Sequence, residues 1–160
     1  MANITHGTWI KDGKPINAVY QNGVNVYGRN LLIGSTDNVV HYNSVGGFTV
    51  WQSYVTQFNV GDTLNASADI TANHGDTVLK ILLISSKEIQ IGYLEYRVSD
   101  GQTAHAFVSK TIPTGTASIL VKIDNGQPNG QADVCAISHQ FANTGSVVAN
   151  WSPAPEDILN

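Results

Sequence analysis

The chain has 160 residues, a formal net charge of −4 and only 12% charged residues. That length suits one domain plus a short appendage, long enough for a real core, and the weak negative charge argues against nucleic acid as a partner. No stretch approaches the apolar length of a membrane helix, and residues 1–6 lack the basic and apolar regions of a signal peptide; the expectation is synthesis in a cytoplasm, without the usual export route and with no membrane partner.

Residues 8–27 read as three short strands. Trp9 and Ile10 begin the first, Asp12-Gly13 centres a hairpin turn, residues 16–20 follow, Gln21-Asn22-Gly23 turns the chain again, and residues 24–27 complete a ribbon too small to stand alone. Residues 34–47 are loop-like, and residues 48–58 read as a strand carrying Trp51 and Tyr54, turned at Gly61-Asp62. Residues 63–71 alternate cleanly, with Leu64, Ala66, Ala68 and Ile70 on one face and Asn65, Ser67, Asp69 and Thr71 on the other. That pattern predicts a half-buried antiparallel strand.

After the turn cluster Asn73-His74-Gly75-Asp76, residues 78–84 form an apolar run interrupted only by Lys80, which marks a central strand. Residues 89–98 and 103–110 flank Asp100-Gly101, the strongest hairpin signal in the chain. Pairing across a two-residue loop there sets Tyr96 opposite His105 and Leu94 opposite Phe107. Pro113-Thr114-Gly115 breaks the next connection, residues 117–123 alternate again, and Asp124-Asn125-Gly126 ends that strand. Residues 132–138 and 147–149 supply the last two strands. The single cysteine, Cys135, excludes an internal disulfide, and its neighbours Val134, Ala136 and Ile137 make it a buried, inert thiol. No window sustains helical periodicity, and strands recur every eight to twelve residues, so the fold class is an all-β sandwich of antiparallel sheets.

Two end signatures frame this strand-rich region: Gly28-Arg29-Asn30-Leu31-Leu32 opens it and Trp151-Ser152-Pro153-Ala154-Pro155-Glu156-Asp157 closes it. With Val19-Tyr20-Gln21-Asn22-Gly23 and Val26-Tyr27-Gly28 upstream, this wording resembles accessory carbohydrate-binding modules in tail and baseplate proteins of phages infecting lactic acid bacteria. The end signatures are specific; the middle is similar only in kind. The resemblance implies a jelly-roll, galactose-binding-like sandwich over residues 29–160, preceded by a ribbon or linker, residues 1–28, that packs on it. It further implies a module that is not an enzyme, needs no cofactor, and attaches a virion to host cell-surface saccharide beside other tail proteins. The location it implies is the virion tail or baseplate. The alternative from a different class is a structural or assembly domain binding another virion protein.

Catalytic and metal chemistry find little footing in the residues. Glycoside hydrolysis needs two carboxylates across a cleft, whereas Asp12, Asp37, Asp62, Asp76, Asp100 and Asp124 sit in turns, where carboxylates normally cap the local backbone. The five histidines His6, His41, His74, His105 and His139 are scattered, with no pair at ligand spacing. Asp37-Asn38 and Asp124-Asn125 are the only stretches worth testing for a structural calcium. What remains is sugar recognition, in which aromatic faces meet flat C–H surfaces and polar side chains meet hydroxyls. Six tyrosines and three tryptophans favour rings with a polar handle. The candidate ligand-binding residues are Trp51, Tyr54, Tyr93 and Tyr96, with Arg97 and His105 as polar partners. Trp9, Tyr20 and Tyr27 are assigned to docking, and Trp151 to sealing the sandwich.

Overall fold

Strict alternation buries one side of a strand, and a continuous apolar run buries a strand deep in its sheet. Both segments with these patterns are strands in a computed structural model, which describes residues 29–44, 48–55, 57–128, 130–145, 151–154 and 157, and the strand backbone within residues 2–28. In the latter part lie β1 (Ala2–Thr5), β2 (Thr8–Lys11) and β3 (Lys14–Pro15) in one small sheet, and β4 (Ala18–Gln21) paired with β5 (Val24–Gly28). Lys11 opposes Lys14 and Gln21 opposes Val24, the registers of two-residue hairpin loops. The loop residues themselves, the docking role of Trp9, Tyr20 and Tyr27, and the strand expected at 147–149 lie outside the described residues. Strand β1 escapes the sequence reading because Ala-Asn-Ile-Thr offers one large apolar side chain and no alternation.

The remaining strands are β6 (Val40–Tyr42), β7 (Thr49–Tyr54), β8 (Thr63–Ala72), β9 (Thr77–Ser85), β10 (Gln90–Val98), β11 (Thr103–Thr111), β12 (Thr116–Asn125) and β13 (Cys135–Thr144). They form two four-stranded sheets: a front sheet in the order β10-β9-β12-β7 and a back sheet in the order β11-β8-β13-β6, with every pairing antiparallel. Only β9 and β10 are successive neighbours within a sheet; every other connection from β6 onward crosses between sheets. This is the expected antiparallel sandwich.

Its core is aliphatic: Leu79, Ile81, Leu83, Ile119, Val121 and Ile123 from the front sheet meet Leu64, Ala66, Ala68, Ile70, Ile137 and Ala142 from the back. Strand β9, an apolar run interrupted only by Lys80, alternates after all, with Lys80, Leu82 and Ile84 turned outward and half-buried. Strand β8 departs the other way. Its polar-face residues Asn65 and Ser67 are buried as well, and Asn65 is satisfied by Asn143, Ser109 and the carbonyl of Gly145. Cys135 is fully buried at the start of β13, where burial pushes its thiol up to about 11.

The hairpin expected at Asp100-Gly101 is corrected. The turn forms, with Gln102 N–H donating to the Ser99 carbonyl at 3.0 Å, but its two strands go to opposite sheets. Tyr96 therefore lies opposite Leu79 and Leu94 opposite Ile81, while His105 lies opposite Asp69 and Phe107 opposite Ser67. Only Gly101 of the central pair takes positive φ, +73°, whereas a tight hairpin of type I′ needs positive φ at both positions. A turn of the observed kind splays its strands. The true partner of β10 is β9, reached through a turn at Ser85 in which Glu88 adopts φ +60°. Asp124 and Asn125 are corrected too: they are buried residues of β12, not an exposed turn.

One side chain ties entrance to exit. Asn30, with no exposed surface, shares its two Nδ2 hydrogens among Ser35 Oγ at 2.9 Å and the carbonyls of Gln140 and Ser152, each at 3.0 Å. Its Oδ1 accepts from Leu32 N–H and Ala142 N–H, each at 3.1 Å. Asp157 adds a second tie by accepting from Gly34 N–H at 3.0 and 3.1 Å. The two end signatures are thus one hydrogen-bonded unit. Because each buried group left unpaired costs roughly 1–3 kcal/mol, Asn30→Ala is expected to destabilise the protein by about 3 kcal/mol or more in urea denaturation. A loss under about 1 kcal/mol would show that the amide is replaceable by water.

Candidate functional site

The outward surface of the front sheet is ordered in rows by its register. Tyr93 opposes Leu82, Leu82 opposes Leu120, and Leu120 opposes Tyr54. One row thus runs across four strands with an aliphatic floor and a tyrosine at each end. Tyr54 and Tyr93, at the two ends of the row, are 58% and 56% exposed. Directly opposed side chains on one face lie about 4.5–5.5 Å apart, which makes the row a continuous apolar bar. A depression of about 330 Å³, lined by Tyr93, Leu82, Gln90, Glu95, Lys80 and Lys122, lies at its Tyr93 end.

The next two rows along the strands are ionic. Glu95, Lys80, Lys122 and Gln52 form one; Arg97, Val78 and Asp124 form the next. Asp124 Oδ2 receives Lys122 Nζ at 2.9 Å and Lys80 Nζ at 3.1 Å, and Thr49 Oγ1 donates to its Oδ1 at 2.8 Å. Glu95 lies between Lys80 at 3.8 Å and Arg97 at 3.7 Å, and Arg97 reaches Asp76 at 3.0 Å. The result is a ladder of alternating sign with three cations and three carboxylates. Burial alone would raise the Asp124 carboxyl, but hydrogen bonds from Lys122, Thr49 and Lys80 outweigh it and hold the group below its ordinary range. Asp76 is likewise held low, first by Arg97 and then by the backbone N–H of Asp100. A second depression of about 400 Å³ lies here, lined by Phe48, Asp76, Val78, Lys80, Arg97, Asp124, Gly126 and Gln127. Lys80 lines both depressions.

The six residues expected to bind ligand are not all brought together. Tyr54 and Tyr93 share the apolar row, and Arg97 lies two rows away on the same surface. Trp51 opposes the buried Ile123 and packs against the core, half-buried. Tyr96 opposes the buried Leu79 and emerges at the edge strand, 40% exposed. His105 is on the opposite side of the molecule, on the outward surface of the back sheet.

There His105 has company that spacing conceals. A β-bulge between Ser138 and Phe141 gives β13 one extra residue against β8, and His139 takes φ +54° within it. Asp69 Oδ1 meets His105 Nδ1 at 2.6 Å, and its Oδ2 meets His139 Nδ1 at 2.8 Å. Burial opposes ionisation of Asp69, but the two imidazole hydrogen bonds prevail and lower its pKa. Trp151, half-buried, meets the His139 ring in a T-shaped contact with centroids 5.3 Å apart. Among the described residues no group of three His, Cys, Asp or Glu side chains could hold a metal ion, and Asp124, considered for calcium, is engaged by two lysines.

Lys80, Leu82, Leu120, Lys122, Asp124, Gln127 and Phe48 were not singled out as ligand-binding in the sequence. The outward alternation of Lys80, Leu82 and Ile84 is the signal that could have found the floor. Nothing local points to Phe48.

No protein-family model and no curated protein matches the sequence. Solved structures do match in fold. A family 4 carbohydrate-binding module aligns with TM-score 0.51 and 13% identity over 68% of this chain and 72% of its own. The enzymatically active domain of tailspike protein 4 from bacteriophage CBA120 aligns with TM-score 0.52 and 11% identity over 67% of this chain. This chain spans only 15% of the tailspike chain. The fold is therefore that of a carbohydrate-binding-module-like, two-sheet antiparallel sandwich.

The ladder has a pH signature. Asp124 has a folded-state pKa below its unfolded value, so its stabilisation is complete above the ordinary carboxylate value of about 3.9. It is lost as pH falls through the lower folded value. Asp124→Asn is expected to lower urea resistance at neutral pH, with the gap to wild type closing in strong acid. A gap that stays constant with pH would mean that the carboxylate charge contributes nothing.

Proposed function

We propose that the chain is a non-catalytic carbohydrate-binding module whose ligand lies across the outward surface of the front sheet. The observation that carries this reading is the row Tyr93–Leu82–Leu120–Tyr54, with two half-exposed rings bounding an apolar floor. Pyranose rings present C–H groups on their faces; the negative face of an aromatic ring attracts them, and the aliphatic floor gains by losing water. The ionic ladder beside the row supplies donors and acceptors for hydroxyls, already held in place by their partners. A hydrolase would need a carboxyl kept protonated near neutral pH as general acid. Asp76 and Asp124 are held the other way, and that supports binding without cleavage.

The end signatures and the similarity in fold to a phage tailspike chain support placing the module in a phage tail or baseplate, where it would hold host cell-wall saccharide. In that setting each site gives little energy, because hydroxyls exchange water for protein at small net gain. Several copies then multiply the hold through effective concentration. The competing role, docking another tail protein, predicts no dependence on the tyrosine row.

Tyr54→Ala and Tyr93→Ala are each expected to cost about 1–3 kcal/mol of binding, the scale of base stacking on aromatics. Their melting temperatures should change little, because both rings are more than half exposed. Labelling of lactic acid bacteria by fluorescent fusions, before and after the wall polysaccharide is stripped, checks this. Undiminished labelling by both variants would remove the row from the site.

A further inference from the structure

We propose that Phe48 ends the same groove as a second sugar subsite, formed with Arg97, Asp76 and Gln127, and that the ligand is a neutral oligosaccharide rather than a single terminal sugar. The proposal rests on the carbohydrate reading of this surface and goes beyond it in ligand length and charge.

Phe48 is anomalous twice. Its backbone has φ +66°, a region that bulky side chains avoid, yet the ring is 64% exposed and gains little from burial. The backbone is held there: the Phe48 carbonyl accepts from Asn125 N–H at 2.6 Å. Asn125 is itself buried, with Nδ2 donating to the His74 carbonyl at 2.9 Å and Thr77 Oγ1 at 3.0 Å. Glycine or asparagine would meet this backbone demand at lower cost. A strained, outward phenylalanine is accounted for by the surface that its ring offers at the mouth of the depression holding Arg97, Asp76 and Gln127. The carboxamide of Gln127, which lines the same depression, lies over Gly75 in space that a Cβ would fill.

Length follows from register. Tyr93 and Arg97 are four residues apart on β10, roughly 13 Å at about 3.3 Å per residue, which exceeds one pyranose. Charge follows from the ladder. Lys80, Lys122 and Arg97 each have a carboxylate partner within 4.0 Å, so an anionic sugar would have to displace Glu95, Asp124 or Asp76. A neutral ring can use donors and acceptors together without breaking a pair.

The test is a glycan array of neutral, uronic-acid-bearing and phosphate-bearing oligosaccharides graded in length, probed with wild type, Phe48→Gly, Phe48→Trp and Tyr93→Ala. Wild type is expected to prefer long neutral glycans. Phe48→Gly should lose about tenfold on the long ones, leave the shortest binders unchanged, and melt no lower than wild type because its backbone suits φ +66°. Phe48→Trp should keep the long-chain preference, and Tyr93→Ala should weaken both classes. If Phe48→Gly matches wild type at every length while Tyr93→Ala binds weakly, the subsite is wrong and the groove stands. Preference for anionic glycans overturns the neutral class. If wild type retains no glycan, the carbohydrate reading fails and the subsite with it.

Discussion

The amide of Asn30 is the constraint on which the sandwich depends. It joins the segment that enters the sandwich to the one that leaves it, and both to the bulged stretch of β13, using all three kinds of partner available: hydroxyl, carbonyl and backbone N–H. In a buried setting such a group is costly unless fully paired, and once paired it specifies one arrangement. Leu31 and Leu32 follow it directly into the core, with Leu31 N–H donating to the Ala142 carbonyl. The entrance is thereby fixed against the back sheet, and the front sheet packs on a platform whose edge no longer frays.

Crossing connections then divide labour between the two outward surfaces. Because every link from β6 onward but β9–β10 passes from one sheet to the other, the strands that bear Tyr54, Leu82, Tyr93 and Leu120 come from distant parts of the chain yet align in one row. The back sheet gathers a different chemistry, with one carboxylate between two imidazoles and a depression of about 410 Å³ lined partly by Asp69, Thr71, Thr103 and His105. Its polar face is largely committed to internal hydrogen bonds. The front surface keeps exposed rings.

Much of the scaffold was legible in sequence because burial imposes period two. Residues 63–71 and 78–84 declared their strands, and the two end signatures are the segments that Asn30 and Asp157 hydrogen-bond together. The failures have one cause, which is that local chemistry cannot fix non-local pairing. Asp100-Gly101 does turn the chain, but its type II-like geometry and the partners waiting on β8 and β9 send its strands apart. Tyr54 and Tyr93 were visible as aromatics in strands; their sharing a row depends on register carried through β9 and β12. Asp69 and His139 are remote in sequence, and only a bulge brings them together. Phe48 read as the start of a strand, since a left-handed backbone leaves no mark on a phenylalanine codon by codon.

The central claim is that saccharide lies on the front sheet's outward surface, and backbone amide shifts test it most directly. Isotope-labelled protein would be titrated with soluble cell-wall saccharide fragments from lactic acid bacteria while amide resonances are followed. The account predicts saturable shifts at Lys80, Leu82, Tyr93, Leu120 and Lys122, with Asp69, Thr103 and His105 unmoved. Shifts confined to the back sheet, or none at saturating saccharide, would contradict it.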